Sequence, residues 1–300
     1  MTYRIGVDGG GSKTECILVD ARGEIVARHL APGCNPSVVG PEQARLVLVD
    51  ALCAVRAQIP ASSRATVFAT QLYMAGSRAF WRETAAQLAD FGDIFIGDDS
   101  LPVLELATRG APGLVLHAGT GSFVAARAPD GAVHYAGGLG WRFGDPGSGY
   151  DLGRRAIARA LLELQGWAPP SRLGPTLRDH TQLGAAADAI AITRFFYQHA
   201  EPNRQIAALA PLLLRLAEEG DQTTQQLVTD SAAELLTLAG RVAAKLFPAT
   251  PLDALPAGLS GPILTHPFVL RALMPRSPLA LAPIAQPPIE GVRLLLMKKP

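Results

Sequence analysis

An excess of charge, clustered cysteine and long apolar runs are all missing from this sequence, and each absence removes a class of function. The 300 residues carry 27 basic and 26 acidic side chains, a formal net charge of +1. That balance offers no electrostatic handle on nucleic acid or an anionic membrane. Three cysteines occur, Cys16, Cys34 and Cys53, and no two form a C-x-x-C pair. Neither a zinc ribbon nor a redox dithiol is suggested, and so sparse and odd a set fits a reducing cytoplasm. The six histidines are scattered without metal-ligand spacing. No apolar run approaches the ~18 residues of a membrane span. A strand begins by Tyr3, which leaves no room for a secretory signal. Two familiar nucleotide fingerprints are absent as well. Ser12 separates Gly11 from Lys13, so there is no P-loop, and Thr14 stands where a dinucleotide-binding loop needs its third glycine.

What is present is apolar mass and a glycine-rich hairpin. The composition is 48% hydrophobic, enough for a substantial core, and the length suits two domains. The run Ile5-Gly6-Val7-Asp8 rises into Gly9, Gly10, Gly11, Ser12, Lys13 and Thr14, and a second β-type run follows to Asp20. Asp20-Ala21-Arg22-Gly23 is a turn signal, and Glu24–Ala27 reads as a third strand. The glycines thus sit between two strands, not before a helix. Bare backbone N–H groups in such a turn suit phosphate oxygens. Asp8 at the strand end is placed to hold magnesium, directly or through water. A tight hairpin with a surface aspartate is the plain alternative.

Along the chain, Ala31–Pro36 is a loop, and Ala44, Val47, Leu48, Ala51, Leu52 and Val55 give Glu42–Gln58 a helical period. Thr66–Ala69 reads as a strand, Arg78–Asp90 as a helix, and Asp93–Gly97 as a strand that delivers Asp98 and Asp99. Leu101–Thr108 is helical and stops at Arg109–Gly113. The order βββαβαβα predicts a mixed sheet flanked by helices. The pattern then restarts. Gly113–Ala118 is a strand, Gly119, Thr120, Gly121 and Ser122 form a second glycine–hydroxyl loop, Phe123–Arg127 is a strand, and Ala132–Ala136 follows a Pro-Asp-Gly turn. Repetition about a hundred residues on predicts two homologous halves, each with a glycine hairpin, facing each other across a nucleotide. A glycine-dense stretch from Gly137 to Gly149 holds Trp141 and Asp145 and is a candidate ligand loop. Helices are predicted over Tyr150–Gln165, Ala185–His199, Ile206–Glu219 and Gln222–Lys245, with a strand-to-turn at Leu255–Leu264 and a last helix reaching Met297. Lys298-Lys299 reads as a solvated tail.

In this order the pieces resemble the sugar kinase, Hsp70 and actin superfamily, and within it the BadF/BadG-type ATPase group. The resemblance spans the chain and is strongest over residues 3–155. Asp8 through Thr14 is similar to the family's first phosphate motif and Gly119–Ser122 to its second. Gly140-Trp141 with Gly144-Asp145-Pro146-Gly147-Ser148 is similar to a G-W…G-D-E-G-S run, and Ser260-Gly261 stands at the family's adenosine motif. The resemblance implies an α/β fold of two actin-like, ribonuclease H-like domains with an interdomain cleft, over residues 1–112 and 113–286, with the helix at about 287–300 returning to the first. It implies phosphorylation of an amino sugar, N-acetylglucosamine first, by ATP with Mg2+, at the 6-hydroxyl. Both glycine hairpins would hold ATP together with Gly261, and Asp8 would organise the metal. Asp98 would be the base, Asp99 a helix cap, and Asn35, Asp98, Trp141 and Asp145 would contact sugar. Family members often form homodimers, and Gln222–Lys245 has an amphipathic surface to spare. His117, where the family shows an aliphatic residue, is expected to be buried and hydrogen-bonded. Pro262 replaces the second glycine of the adenosine motif, which puts adenine contact there in question.

Other readings remain within and outside this class. Glucosamine or another hexose is an alternative acceptor. An activator ATPase with an iron–sulfur cluster needs cysteines in the second half, and none follows Cys53. A sugar-responsive regulator would carry a helix-turn-helix extension, and none is present.

Overall fold

In a computed structural model, which describes residues 2–59 and 66–298, the chain divides into two units. The first comprises Met1–Gly110 and Gln286–Pro300, the second Ala111–Ala285. The first unit opens with β1 (Thr2–Gly9), β2 (Lys13–Val19) and β3 (Ile25–Pro32), an antiparallel meander. After α1 (Pro36–Val39) and α2 (Pro41–Arg56), β4 (Thr66–Met74) lies parallel to β1. Then come α3 (Arg78–Ala85), β5 (Asp93–Asp98), parallel to β4, and α4 (Ser100–Thr108). The sheet order is β3-β2-β1-β4-β5.

Strand alternation sends successive side chains to opposite faces, and both faces of this sheet are covered. Ile5, Val7, Cys16, Leu18 and Leu72 pack with Val47, Leu48, Ala51, Leu52 and Val55 of α2 and with Trp81 of α3. All six residues that set the predicted period of α2 are buried. The intervening Ile17, Val19 and Tyr73 face the other way.

The second unit repeats the plan. Strands β6 (Gly113–Ala118), β7 (Ser122–Arg127) and β8 (Val133–Gly137) form the meander. A helical crossover follows, with α5 (Gly149–Leu164), α6 (Leu173–Thr181), α7 (Ala189–Gln198), α8 (Pro202–Ala207), α9 (Ala210–Glu218) and α10 (Gln222–Leu246). Then come β9 (Pro256–Ser260), α11 (Pro267–Leu273) and β10 (Ala280–Pro283). The order β10-β9-β6-β7-β8 is that of the first sheet, strand for strand. The long crossover separates β8 from β9, so the second half departs from a strict βββαβαβα reading.

The chain ends in α12 (Pro288–Leu296), part of the first unit, whose Ile289, Val292 and Leu296 cover Ile17, Val19 and Tyr73. Lys298 is not a solvated tail. Its Nζ donates to Glu105 Oε1 of α4 at 2.6 Å, and the Glu105 side chain is 2% exposed. Lys299 lies outside the described residues. Two other expectations differ from the fold. The helix predicted to reach Asp90 ends at Ala85, where the ladder tightens into three-residue turns, Gln87 N–H donating to Thr84 C=O and Leu88 N–H to Ala85 C=O, both at 3.1 Å, before Asp90 takes a left-handed φ of 66°. The helix predicted from Ala185 starts at Ala189, where Asp188 caps it by accepting from Ala191 N–H at 2.8 Å. Among the described residues no helix is long and apolar enough to cross a membrane.

Candidate functional site

In the first unit the parallel strands β1, β4 and β5 end together. Tyr73 of β4 pairs with Asp8 on one side and Gly97 on the other, and Met74 pairs with Gly9 and Asp98. Carboxyl ends of parallel strands are where open α/β sheets collect ligands. The first hairpin turns at the same end. Gly10 N–H donates to Lys13 C=O at 2.9 Å, and Cys34 N–H donates back to Gly10 C=O at 3.1 Å. Gly11, Ser12 and Lys13 at its tip are exposed, and Thr14 is buried. Lys13 pairs with Glu15 at 3.1 Å.

Two aspartates at these strand ends hold their protons unusually well. Burial pushes Asp8 up to about 7, reinforced by the charge of Asp99 and opposed by Lys13. Burial pushes Asp99 up to about 6, reinforced by Asp98 and opposed by the backbone of Asp99 and Ser100. Asp99 stands at the start of α4 but makes no side-chain capping hydrogen bond, so the expected cap role is not what the structure shows. Asp98 is half-exposed and ion-paired with Arg78 of α3. Sequence reasoning passed over Arg78, because an arginine opening an amphipathic helix usually marks a solvated face.

Asn35 stands in the same unit as the N-cap of α1, its Oδ1 accepting from Ser37 N–H at 3.0 Å. It lies against Gly76, at φ 95°, where a Cβ would come within 2.9 Å of Asn35 Oδ1. Gly76 therefore admits Asn35 to the loop that leads into Arg78. The oxygen donors here suit a hard cation. Among the described residues no three His, Cys, Asp or Glu side chains form a ready metal cage. A magnesium ion held by Asp8 would complete its shell with phosphate and water oxygens, as this ion prefers.

The second unit carries the other hairpin. Gly119 N–H donates to Gly121 C=O at 2.9 Å, closing the turn around Thr120. The start of α5 grips the hairpin from behind, Gly149 N–H donating to Gly119 C=O at 2.8 Å and Tyr150 N–H to Thr120 C=O at 3.3 Å. Ser122 Oγ donates to Pro146 C=O at 2.7 Å, which ties in the glycine-dense loop. In that loop Asp145 takes a φ of 65° and is 4% exposed, with Oδ1 unpartnered. Burial raises its pKa, opposed by the Gly140 backbone and reinforced by Asp151. Its Oδ2 lies 2.9 Å from where a Cβ on Gly121 would stand. Ser231 of α10 receives Gly147 N–H at 3.1 Å and donates to Asp151 Oδ2 at 2.7 Å, while Asp151 pairs with Arg154 and Arg155. Sequence reasoning missed Asp151 and Ser231, which are 80 residues apart and carry no motif.

Trp141 is 36% exposed, tilted against Tyr150, with the Arg142 guanidinium 4.9 Å from its ring centre. His117 is partly buried, its Nδ1 3.2 Å from Ser260 Oγ and its ring stacked on Phe123. Burial draws its pKa down to about 4. Gly261, at φ 88°, runs so close to Ala118 that a Cβ would come within 2.3 Å of the Ala118 oxygen. The Ser260–Gly261 turn thus joins the end of β9 to the end of β6, beside the second hairpin.

Residues 5–251 match the BadF/BadG/BcrA/BcrD ATPase family. An N-acetyl-D-glucosamine kinase of Dictyostelium discoideum is 27% identical over 258 residues, which cover 81% of this chain and 79% of that one. An N-acetylmuramic acid/N-acetylglucosamine kinase of Clostridium acetobutylicum is 24% identical over 239 residues, covering 78% and 77%. Among solved structures, a Chromobacterium violaceum protein proposed as an N-acetylglucosamine kinase has a TM-score of 0.82 at 29% identity, covering 99% of both chains.

Proposed function

Because the chain belongs to the BadF/BadG/BcrA/BcrD ATPase family, and is a sugar kinase of the N-acetylglucosamine and glucosamine kinase type, we propose that it transfers the γ-phosphoryl group of ATP to the 6-hydroxyl of N-acetyl-D-glucosamine. The observation that carries the catalytic assignment is the register that brings Asp8 and Asp99 together at the carboxyl ends of β1 and β5, where burial raises the pKa of both.

Phosphoryl transfer is mostly positioning and charge stabilisation. Each unit has its own glycine hairpin, Gly9–Thr14 in the first and Gly119–Ser122 in the second, whose tip suits phosphate oxygens. Asp8 would hold a magnesium ion, which would supply positive charge against the phosphates. Asp99 accepts the proton of the attacking hydroxyl. A base poised near 6 is well matched to that task at neutral pH, since it is ionised and still basic enough to accept the proton. Asp98 is the weaker candidate because Arg78 already occupies its carboxylate. On the sugar, Asn35 offers its amide and Trp141 an apolar face. Asp145 Oδ1, buried without a partner, accepts from a sugar hydroxyl. The Gly261 turn contacts adenosine.

A coupled ADP-release assay with Mg-ATP tests the reading over N-acetylglucosamine, glucosamine, N-acetylmannosamine and glucose. N-acetylglucosamine is expected to give the highest kcat/KM. ADP release unchanged by every sugar would falsify the kinase reading, and phosphate lability characteristic of another ester would move the acceptor from the 6-hydroxyl.

A further inference from the structure

His117 is a polar residue in an otherwise apolar strand. Its β6 neighbours Leu116 and Ala118 lie in the core of the second unit, fully buried. His117 points to the opposite face of the sheet and is partly exposed. There its ring stacks on Phe123 with 5.0 Å between centroids, and Phe123 stacks on Tyr135 at the same spacing. Such stacking asks only for a flat ring, which phenylalanine would supply with no polar atoms to satisfy. It leaves the two ring nitrogens unexplained.

Burial keeps this imidazole neutral, so one nitrogen donates and the other accepts. Nδ1 lies 3.2 Å from the Oγ of Ser260, its register partner at the end of β9. Nε2 makes no hydrogen bond among the described residues. It lies 3.5 Å from where a Cβ on Gly119 would stand. Because Gly119 has no Cβ, that edge of the ring is left open toward the Gly119–Ser122 hairpin. Ser260 leads into Gly261 and then Pro262, which has no N–H, so this turn is one backbone donor short. His117 therefore stands between hairpin and turn, with one nitrogen directed to each.

We propose that His117 is a further nucleotide-binding residue, its Nε2–H donating to a β- or γ-phosphate oxygen while Ser260 Oγ donates to Nδ1. Phosphate oxygens only accept, so a bound polyphosphate selects the tautomer with the proton on Nε2, and Ser260 holds the ring in that state. The proposal rests on the reading of Gly119–Ser122 as a phosphate loop and deepens it.

The test is calorimetric affinity for ATP, ADP, AMP and adenosine, with magnesium and without sugar. It compares the wild type with His117→Gln, His117→Asn and His117→Leu. The glutamine amide can reach the position of Nε2, the asparagine amide only that of Nδ1, and leucine neither. His117→Asn and His117→Leu are expected to weaken ATP and ADP about tenfold, the worth of one hydrogen bond to a charged acceptor. His117→Gln recovers most of that loss, and AMP and adenosine bind as before. Equal losses for all four ligands, or unchanged ATP and ADP affinities in His117→Leu, overturn the proposal. Should the variants fail to fold, wild type labelled with 15N-histidine decides. Adding ADP must move one imidazole to the Nε2–H tautomer, and no such change overturns the proposal. If no sugar elicits ADP release the kinase reading falls, while these affinities still decide the role of His117. A wild type that binds none of the four ligands overturns both.

Discussion

At the scale of single residues, the chemistry turns on which of two neighbouring aspartates is free to act. Asp98 and Asp99 differ by one peptide unit, yet one is drawn into an ion pair and the other is desolvated by burial, with the charge of Asp98 beside it. Asp99→Asn is therefore expected to cost about 10²- to 10⁴-fold in kcat, the usual worth of a positioned base. Nucleotide affinity should stay nearly intact. Asp98→Asn should retain measurable turnover. Steady-state kinetics with N-acetylglucosamine decide it, and a dead Asp98→Asn beside an active Asp99→Asn would return the base role to Asp98. His117 makes a separate, thermodynamic prediction. Its folded pKa is about 4 against 6.5 in the unfolded chain, so the folded state binds fewer protons between those values. The stability it permits is present above about 6.5 and is lost as pH falls toward 4. The loss is roughly 1–2 kcal/mol, discounted because the ring is only partly buried. His117→Gln should flatten the pH dependence of unfolding in that window, as read by calorimetry at pH 4.5 and 7.

At the scale of elements, the two hairpins and α12 carry the argument. Gly121→Ala would drive a Cβ to 2.9 Å from Asp145 Oδ2, and Asp145 is buried in a loop tied to α5 and α10. It is expected to raise the KM for ATP about tenfold or more with little change in melting temperature. Ile289→Ala in α12 should instead destabilise the first unit by about 2–4 kcal/mol, because it opens a cavity against Ile17 and Val19. The hairpins were legible in the sequence because everything that makes them is local. Glycine, hydroxyl residues and alternating apolar strands lie within about fifteen positions. The period of α2 was legible for the same reason. What escaped notice is nonlocal or unpatterned. The pair Lys298–Glu105 spans 193 residues, and β10 is four residues long in a proline-dense stretch whose neighbour β9 alone makes it a strand. The site divides likewise. Asp8 is marked by the glycines that follow it, whereas the burial that separates Asp99 from Asp98, and the arginine that engages Asp98, appear only once β5 and α3 are folded.

At the scale of the whole molecule, the repeated strand order has a consequence for how the chain can be divided. The second unit, Ala111–Ala285, is continuous in sequence and owns a core built from β6, β7, β9 and helices α5, α9 and α10. The first unit is not continuous, because α12 arrives from the far end of the chain. A fragment of residues 111–285 is therefore expected to fold alone with a cooperative melt, since its buried core cluster is made of its own residues. A fragment of residues 1–110 lacks α12, leaves Ile17, Val19 and Tyr73 uncovered, and is expected to aggregate or melt at much lower temperature. The 111–285 fragment carries Gly119–Ser122, Trp141 and Asp145, but neither Asp8 nor Asp99. It should release no ADP in response to any sugar, while its thermal transition keeps the His117-dependent response to pH. Circular dichroism melts at the two pH values, paired with the ADP assay, check both halves of that expectation. A fragment that unfolds without a transition would mean that the second core depends on residues from the first unit, and that the two repeats stabilise each other.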